Sequence, residues 1–366
     1  MSGTPDITII GGGIISLLTA REFSLTGANV TIIEKNRLGR ESSWAGGGIL
    51  LPLYPWRQDR AISALVLNSL KRYPDLSCEL TNATGIDPEW VDCGLLISRN
   101  PDYESATAWC RANHVHFETP SPSQLNRFNT DPLNPLWLPE IAQARNPRLI
   151  KALIKDLEAR DVNFIEHCEL IEAEIRQNRI VSILTTTGRL EVSSLVIAAG
   201  AWSGELWSKL FSQPAGMQPK INPVKGQMLI FDTEPGLLNH MILDNDQYLI
   251  PRLDGKILAG STVEDCGFSK TTTRQAKNQL ETFALNLFPS LEAYSVTHHW
   301  AGLRPGTEHG IPYIGKHPDL DNLSINAGHF RNGLAMGPAS SRLLVDIVQN
   351  RTPEIDPEPY QLNALH

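Results

Sequence analysis

The residues best placed to do chemistry come early in the chain. Ile7-Thr8-Ile9-Ile10 is a short apolar run; Gly11-Gly12-Gly13-Ile14-Ile15-Ser16 follows, then a helical pattern, and Val30-Thr31-Ile32-Ile33 ends at Glu34. Strand, glycine turn, helix, strand and acid, in that order, make the dinucleotide-binding βαβ unit. Gly11 permits the tight turn, and Gly13 lets the main chain approach a pyrophosphate closely. The helix N-terminus offers unpaired N–H groups and the positive end of its dipole to phosphates. Glu34, about twenty residues on, is placed to accept hydrogen bonds from a ribose. Ser16 stands where a third glycine is usual, and its small size leaves helix–strand packing intact. The unit does not distinguish NAD from FAD.

Three other stretches of glycines or small residues extend this picture. Ser42-Ser43-Trp44-Ala45-Gly46-Gly47-Gly48-Ile49 puts three glycines in a row, an entropically costly choice that implies a main chain passing close to something bulky. Leu195-Val196-Ile197-Ala198-Ala199-Gly200 reads as a buried strand running into a small-residue turn, suited to a nucleotide at the switch point of a doubly wound sheet. Leu323–Ala327 reads as a strand, Gly328 to Pro338 as a glycine-rich turn, and Ser340 to Gln349 as an amphipathic helix whose N-terminal dipole could stabilise negative charge.

The elements that must position these stretches are legible from periodicity. Helices are expected over Ala61–Leu80, Arg148–Arg160 and Thr273–Leu287. Val162–Leu170 reads as one strand, and Ile180–Thr186 and Arg189–Val192 as a hairpin around Thr187-Gly188. From Lys220 to His299 the chain turns strand-rich, with Gln227–Phe231, Gln247–Pro251 and Lys256–Ala259 suggesting a second, largely antiparallel unit. Six prolines from Pro120 to Pro147 make that segment an irregular crossing between domains.

Composition narrows the function classes. A length of 366 residues, with 41% hydrophobic and 20% charged residues, suits a soluble globular enzyme of one large or two medium domains. A net charge of −8 without a basic tract argues against nucleic acid as a partner. The apolar stretch at the N-terminus is too short for a bilayer and lacks a basic flank, so neither a membrane span nor a signal peptide is expected. The cysteines, Cys78, Cys93, Cys110, Cys168 and Cys266, are odd in number and widely spaced, which fits a reducing cytoplasm; no metal site is expected from them or from His114/His116 and His298/His299.

Taken together, the blocks Ile9–Ser16 with Glu34, Ser42–Leu50, Ala198–Ser203, Trp300-Ala301-Gly302-Leu303-Arg304-Pro305-Gly306-Thr307 and Gly328–Leu334 give the chain a family likeness. It resembles the flavin-dependent D-amino acid oxidase family and, within it, the glycine oxidases of thiamine biosynthesis, over nearly its whole length. The resemblance implies non-covalent FAD, since no cysteine follows Cys266 to carry a covalent flavin. By the same likeness Ile14, Ile15, Glu34 and Lys35 bind the ADP half, Ser42, Ser43, Gly47, Gly48 and Ile49 lie along the pyrophosphate and isoalloxazine, and Leu170 packs near the adenine. His329, Phe330, Arg331, Asn332, Gly333, Leu334 and Ala335 line the pyrimidine end of the flavin, and Gly200 belongs to the small-residue turn at the nucleotide.

The resemblance also implies an amino acid substrate. Arg304 is the expected carboxylate clamp, because a planar guanidinium grips a carboxylate with two hydrogen bonds. Tyr248 adds a hydroxyl to that carboxylate, and Arg331 matches a second position at substrate or flavin. Asp246 replaces a histidine of the better-known pattern and, two residues from Tyr248, is expected on the same strand face; Val263 replaces a methionine and alters pocket volume. The implied reaction moves the α-hydrogen of glycine, sarcosine or D-alanine as hydride to flavin N5, and the imine hydrolyses to an α-keto acid such as glyoxylate. Oxygen takes the electrons as hydrogen peroxide. No obligatory protein base is implied, since the cofactor carries the chemistry. A sarcosine oxidase or D-amino acid dehydrogenase of the same fold, and a flavin-binding tRNA-modification module, are the rival readings.

The expected fold class is therefore α/β, a Rossmann-like FAD-binding domain with a second, mostly antiparallel α+β substrate domain. Residues 1–85, 145–222 and 300–366 are assigned to the first, and 86–144 and 223–299 to the second. A homo-oligomer, a tetramer by resemblance, and the amino acid and oxygen are the expected partners.

Overall fold

The structure is a computed structural model that describes residues 4–211, 218–364 and 366. The chain opens with β1 (Ile7–Ile10), α1 (Ile14–Leu25) and β2 (Val30–Ile33). Next come α2 (Ser42–Ala45), α3 (Arg60–Thr84), β3 (Val91–Asp92), β4 (Leu95–Ile97), α4 (Tyr103–Ala112), α5 (Pro122–Leu125), β5 (Leu136–Leu138), β6 (Ala142–Gln143) and α6 (Asn146–Glu158). β7 (Asn163–Ile165), β8 (Leu170–Arg176), β9 (Arg179–Thr185), β10 (Gly188–Glu191), β11 (Leu195–Ile197) and α7 (Ser203–Leu210) follow. β12 (Asn222–Asp232), β13 (Met241–Asp244), β14 (Gln247–Pro251), β15 (Lys256–Gly260), α8 (Arg274–Leu287) and β16 (Val296–Gly306) form the next run, and β17 (Tyr313–Lys316), β18 (Leu323–Ala327) and α9 (Gly333–Val348) end it.

The first sheet has the order β17-β18-β11-β1-β2-β7, parallel except for the edge strand β17. Its central strands are buried on both faces, which is why they read as apolar runs rather than alternations. Ile9, Ile32 and Val196 point to a layer of helices built from α1, α3, α6 and α9. Ile10, Ile33, Ile197 and Ile325 point the other way, into a core shared with Ile180 and Ile183 of the small sheet β10-β9-β8.

The second sheet has the order β16-β12-β15-β14-β13-β4-β5, antiparallel except for β13 beside β4. Strand alternation sends Leu229, Phe231, Leu249 and Ile257 to a core under α8. The same alternation turns Met228, Tyr248, Ile250 and Leu258 towards the first domain. The α/β fold with an antiparallel companion is the one the sequence implies.

Several sequence expectations are corrected. Val162–Leu170 is not one strand: β7 joins the parallel sheet, the chain turns at His167 (φ 54°), and Leu170 starts β8. The turn is fastened by the Cys168 N–H donating to the Glu34 carbonyl at 3.0 Å. The proline-rich segment from 120 to 147 is not merely a crossing, because β5 closes one edge of the second sheet. The boundary placed at residue 300 falls inside β16, which pairs with β12 without a break from His298 to Gly306. The final helix begins at Gly333, seven residues before the expected start, and runs through Pro338.

Candidate functional site

Both sheets contribute to one cavity of about 590 Å³, within the size range of ligand and cofactor sites. One end is walled by the turn from Gly11 to Ile15, by Glu34, Lys35 and Leu170, and by Gly200 and Trp202. The other end is walled by Met228, Tyr248, Ser261, Arg304 and Arg331. Gly47, Gly48, Ile49 and the stretch His329–Leu334 run between them.

At the first end the glycines work as the motif requires. Gly11 has φ 111°, and a Cβ there would lie 2.4 Å from the Ala198 carbonyl oxygen. Gly13, the N-cap of α1, has no side chain to cap the helix, whose first turn lines the cavity. The Glu34 carboxylate accepts from the N–H groups of Gly12 at 2.7 Å and Asn36 at 2.8 Å. Burial pushes its pKa above the usual range, against the pull of those two hydrogen bonds and of Lys35. Ser16 does more than substitute for a small residue, since its hydroxyl donates to the Ala198 carbonyl at 3.1 Å and ties α1 to the end of β11. Ser43 Oγ accepts from the Ile14 N–H at 2.8 Å, and Ser42 Oγ donates to the Leu303 carbonyl, so both serines brace the glycine loop.

The glycine run at 46–48 is crowded by protein as well as by the cavity. A Cβ on Gly47 would lie 2.8 Å from Ile250, and one on Gly48 (φ 89°) 2.0 Å from the Ala144 carbonyl. Arg252 Nη2 donates to the Gly47 carbonyl at 2.7 Å, and its guanidinium also donates to Gln143 Oε1. Burial pulls the pKa of Arg252 down to about 10. Nothing in the sequence marks Arg252, because its role depends on where Gly47 lies in space.

Arg304 on β16 lies opposite Val224 of β12. Its Nη2 donates to Ser261 Oγ at 2.7 Å, and its Nη1 to the carbonyls of Thr262 at 3.1 Å and Lys225 at 3.3 Å. Burial draws its pKa below the ordinary guanidinium value; Arg331 acts in the same sense, Tyr248 and Glu264 against it. Gly226 makes room for it: a Cβ there would lie 2.3 Å from both terminal nitrogens. Glycine inside a strand signals close approach by another group, and that is the sequence mark by which this position can be found. Met228 and Ser261 also line the cavity and escaped sequence reasoning.

His329 is buried at the start of the α9 loop. Its Nε2 lies 2.6 Å from Ser340 Oγ, which donates to Asn326 Oδ1 at 2.8 Å, and Asn326 Nδ2 donates to Thr19 Oγ1 at 3.1 Å. Burial pulls the imidazole down to about 3, so it is neutral at physiological pH.

Not every expected residue reaches the site. Asp246 is exposed on the β13–β14 turn rather than on the strand with Tyr248, because Asn245 (φ 51°) ends the strand before it, and it does not line the cavity. Val263 is 53% exposed and also lies off the wall, which is reached by Ser261; Thr262 between them is buried, its Oγ accepting from the Gln227 N–H at 2.9 Å. Ala335 is buried in α9, one residue beyond the last lining residue, Leu334.

The residues fit FAD. Arg331 Nε and Asn146 Oδ1 are buried without protein partners among the described residues, and both residues line the cavity, as in a wall built for a polar ligand. A dinucleotide turn at one end and a buried guanidinium at the other are the parts of an oxidoreductase that holds a dinucleotide cofactor beside an anionic substrate. The chain belongs to the FAD dependent oxidoreductase family, whose profile matches residues 6–347, and its cofactor is FAD. It is 41% identical over 361 residues to a glycine oxidase of Pseudomonas aeruginosa, spanning 97% of each chain. It is 29% identical over 362 residues to the bifunctional protein ThiO/ThiG of Trichormus variabilis, covering 94% of this chain and 53% of that one. The crystal structure of glycine oxidase from Geobacillus kaustophilus matches it with a TM-score of 0.91 at 26% identity, over 99% of both chains.

Proposed function

We propose that the protein oxidises glycine, and other small amines such as sarcosine and D-alanine, to an α-keto acid with release of ammonia or amine and formation of hydrogen peroxide. The observation that carries this reading is the Arg304 guanidinium, buried at one end of the cavity beside Tyr248 and Arg331. Two guanidiniums and a phenol suit one carboxylate. The carboxylates among the lining residues, Glu34, Glu41, Glu169 and Glu205, sit with Lys35 and Trp202 at the other end.

FAD supplies the two-electron acceptor at N5 and the route onward to oxygen. The protein's part is placement. Arg304 and Tyr248 hold the carboxylate and so fix the α-carbon, and positioning of this kind can supply much of the rate. Among the described residues no acidic side chain lines this end, and Glu264, which acts on Arg304 from behind the wall, is engaged by Lys225; a substrate ammonium would therefore face Arg304 and Arg331, and the neutral amine is the form that binds productively. His329, whose Nε2 is taken up by Ser340 and which burial makes a weak base, is assigned no proton transfer.

The likeness to ThiO/ThiG supports a role in supplying the thiazole of thiamine. Residues 1–85, 145–222 and a C-terminal section form the FAD-binding part of this reading, and the seven-stranded sheet the substrate part. No helix among the described residues is long and apolar enough to cross a membrane; a cytoplasmic homo-oligomer, a tetramer by likeness, completes the proposal. Anaerobic flavin bleaching scanned over glycine, sarcosine, D-alanine and L-proline tests it. Bleaching by glycine followed by peroxide on admission of air supports the reading. Bleaching without peroxide turns it towards a dehydrogenase, and no bleaching by any amine overturns it.

A further inference from the structure

The segment between β15 and α8, residues 261–273, starts at the substrate end of the cavity, reaches the nucleotide end at Phe268 and Lys270, and returns to β12, where the Thr271 carbonyl accepts from Lys225 Nζ at 3.2 Å and the Thr273 N–H donates to Gln227 Oε1 at 2.9 Å. Ser261 and Thr262 accept from Arg304. Glu264 then pairs with Lys225, main chain to main chain at 2.9 Å in both directions and side chain to side chain at 2.8 Å. Beyond this anchor the segment crosses to the other domain. The Phe268 ring stacks on Trp202, with centroids 5.5 Å apart and planes 25° apart, and Lys35 Nζ lies 3.6 Å from the centroid of the same indole. Lys270 Nζ contacts both carboxylate oxygens of Glu41 at 2.9 Å. Phe268, Trp202, Lys35 and Glu41 all line the cavity.

Phe268 contributes nothing to the hydrophobic cores and is 41% exposed, yet two independent contacts hold its segment against the opposite domain. We propose that residues 264–270 form a strap that retains FAD by closing the nucleotide end of the cleft. Trp202 with Phe268 forms the aromatic cover and Lys270–Glu41 the latch. The ligand recognised is the dinucleotide, whose adenosine half meets an aromatic and cationic surface there.

The test uses flavin-loaded protein diluted into flavin-free buffer, with release read as the rise of free flavin fluorescence. Phe268→Ala is expected to release flavin about three- to tenfold faster, the range an aromatic pair supports. Lys270→Glu is expected to accelerate release at low salt and to lose that effect near 1 M salt, because the pair is exposed and screened. Glu41→Lys combined with Lys270→Glu is expected to bring the rate back towards wild type. Far-UV circular dichroism of the flavin-free variants checks folding, and if Phe268→Ala fails that check, Lys270→Glu and the charge swap decide alone. Release from both single variants within about twofold of wild type, less than 0.5 kcal/mol, overturns the strap.

Discussion

Tyr73 on α3 donates its hydroxyl to the Leu334 carbonyl at 2.6 Å. Leu334 lies four residues before Pro338, so it is the carbonyl that Pro338, lacking an N–H, leaves without its α9 partner. Ser69, one turn earlier on α3, accepts from the Ala339 N–H at 3.0 Å. The proline in α9 is thus accommodated by a second helix, and the stretch that borders the cavity can run straight into a buried helix.

Tyr73→Phe keeps the ring and removes the donor, leaving a buried carbonyl unpaired. A loss of about 1–3 kcal/mol is expected in urea unfolding of the holoenzyme. An unchanged midpoint would mean that the Leu334 carbonyl finds another partner.

Arg304→Ala should cost about 2–5 kcal/mol of kcat/KM for glycine, the range for removing one partner of a buried charge pair. Arg304→Lys restores the charge but not the planar fork, and should recover only part of the loss. Flavin content, read from the visible spectrum, should stay at the wild-type level in both. Wild-type kinetics in Arg304→Ala would remove the carboxylate clamp.

Gly226→Ala separates function from fold. The added methyl would meet the Arg304 guanidinium, the far end of a flexible side chain, so the strand can keep its register while the clamp moves. KM for glycine should rise about tenfold or more, while stability changes by no more than about 1 kcal/mol. A crystal structure or thermal midpoint showing a disrupted sheet would contradict this.

His329 makes stability fall on acidification. Its folded pKa, about 3, is below the unfolded value, so the unfolded chain takes up a proton first as pH drops below about 6.5. The neutral form is common to both states above that pH, where its stability is fully present; between pH 6.5 and 5 the loss is on the order of 2 kcal/mol. His240, pulled down to about 4 by burial, adds in the same direction. His329→Asn should flatten the change in thermal midpoint between pH 7 and pH 5. A slope identical to wild type would exclude His329 as a source.

The amine should also show its protonation. With Arg304 and Arg331 at the substrate end and the lining carboxylates at the other, kcat/KM for glycine should climb as pH rises towards deprotonation of the substrate amine. A pH-independent kcat/KM across the alkaline range would require an acidic partner for the ammonium.

Local chemistry was readable without coordinates. The turn at Gly11–Gly13, the acid at Glu34 and the buried strands around them follow from residue type and spacing, because a βαβ unit is built from contacts close in sequence. The likeness over Trp300–Thr307 and Gly328–Leu334 points at Arg304 and the flavin from residue types alone. Asp246 and Val263 were misplaced because one residue at a turn changes which way a side chain points, and spacing along a strand says nothing of where the strand stops.

By itself, the amino-acid sequence determined the dinucleotide-binding unit and the α/β character, and its family likeness pointed to FAD and to Arg304 as the proposed carboxylate clamp. Only the tertiary structure decided that Gly226 shapes the seat of Arg304, that Arg252 carries the Gly47 loop, that Tyr73 completes a helix more than two hundred residues away, and that Phe268 reaches Trp202. Each of these is a contact between segments distant in sequence. Their pairing depends on how two sheets pack across one cleft, and no local propensity encodes that packing.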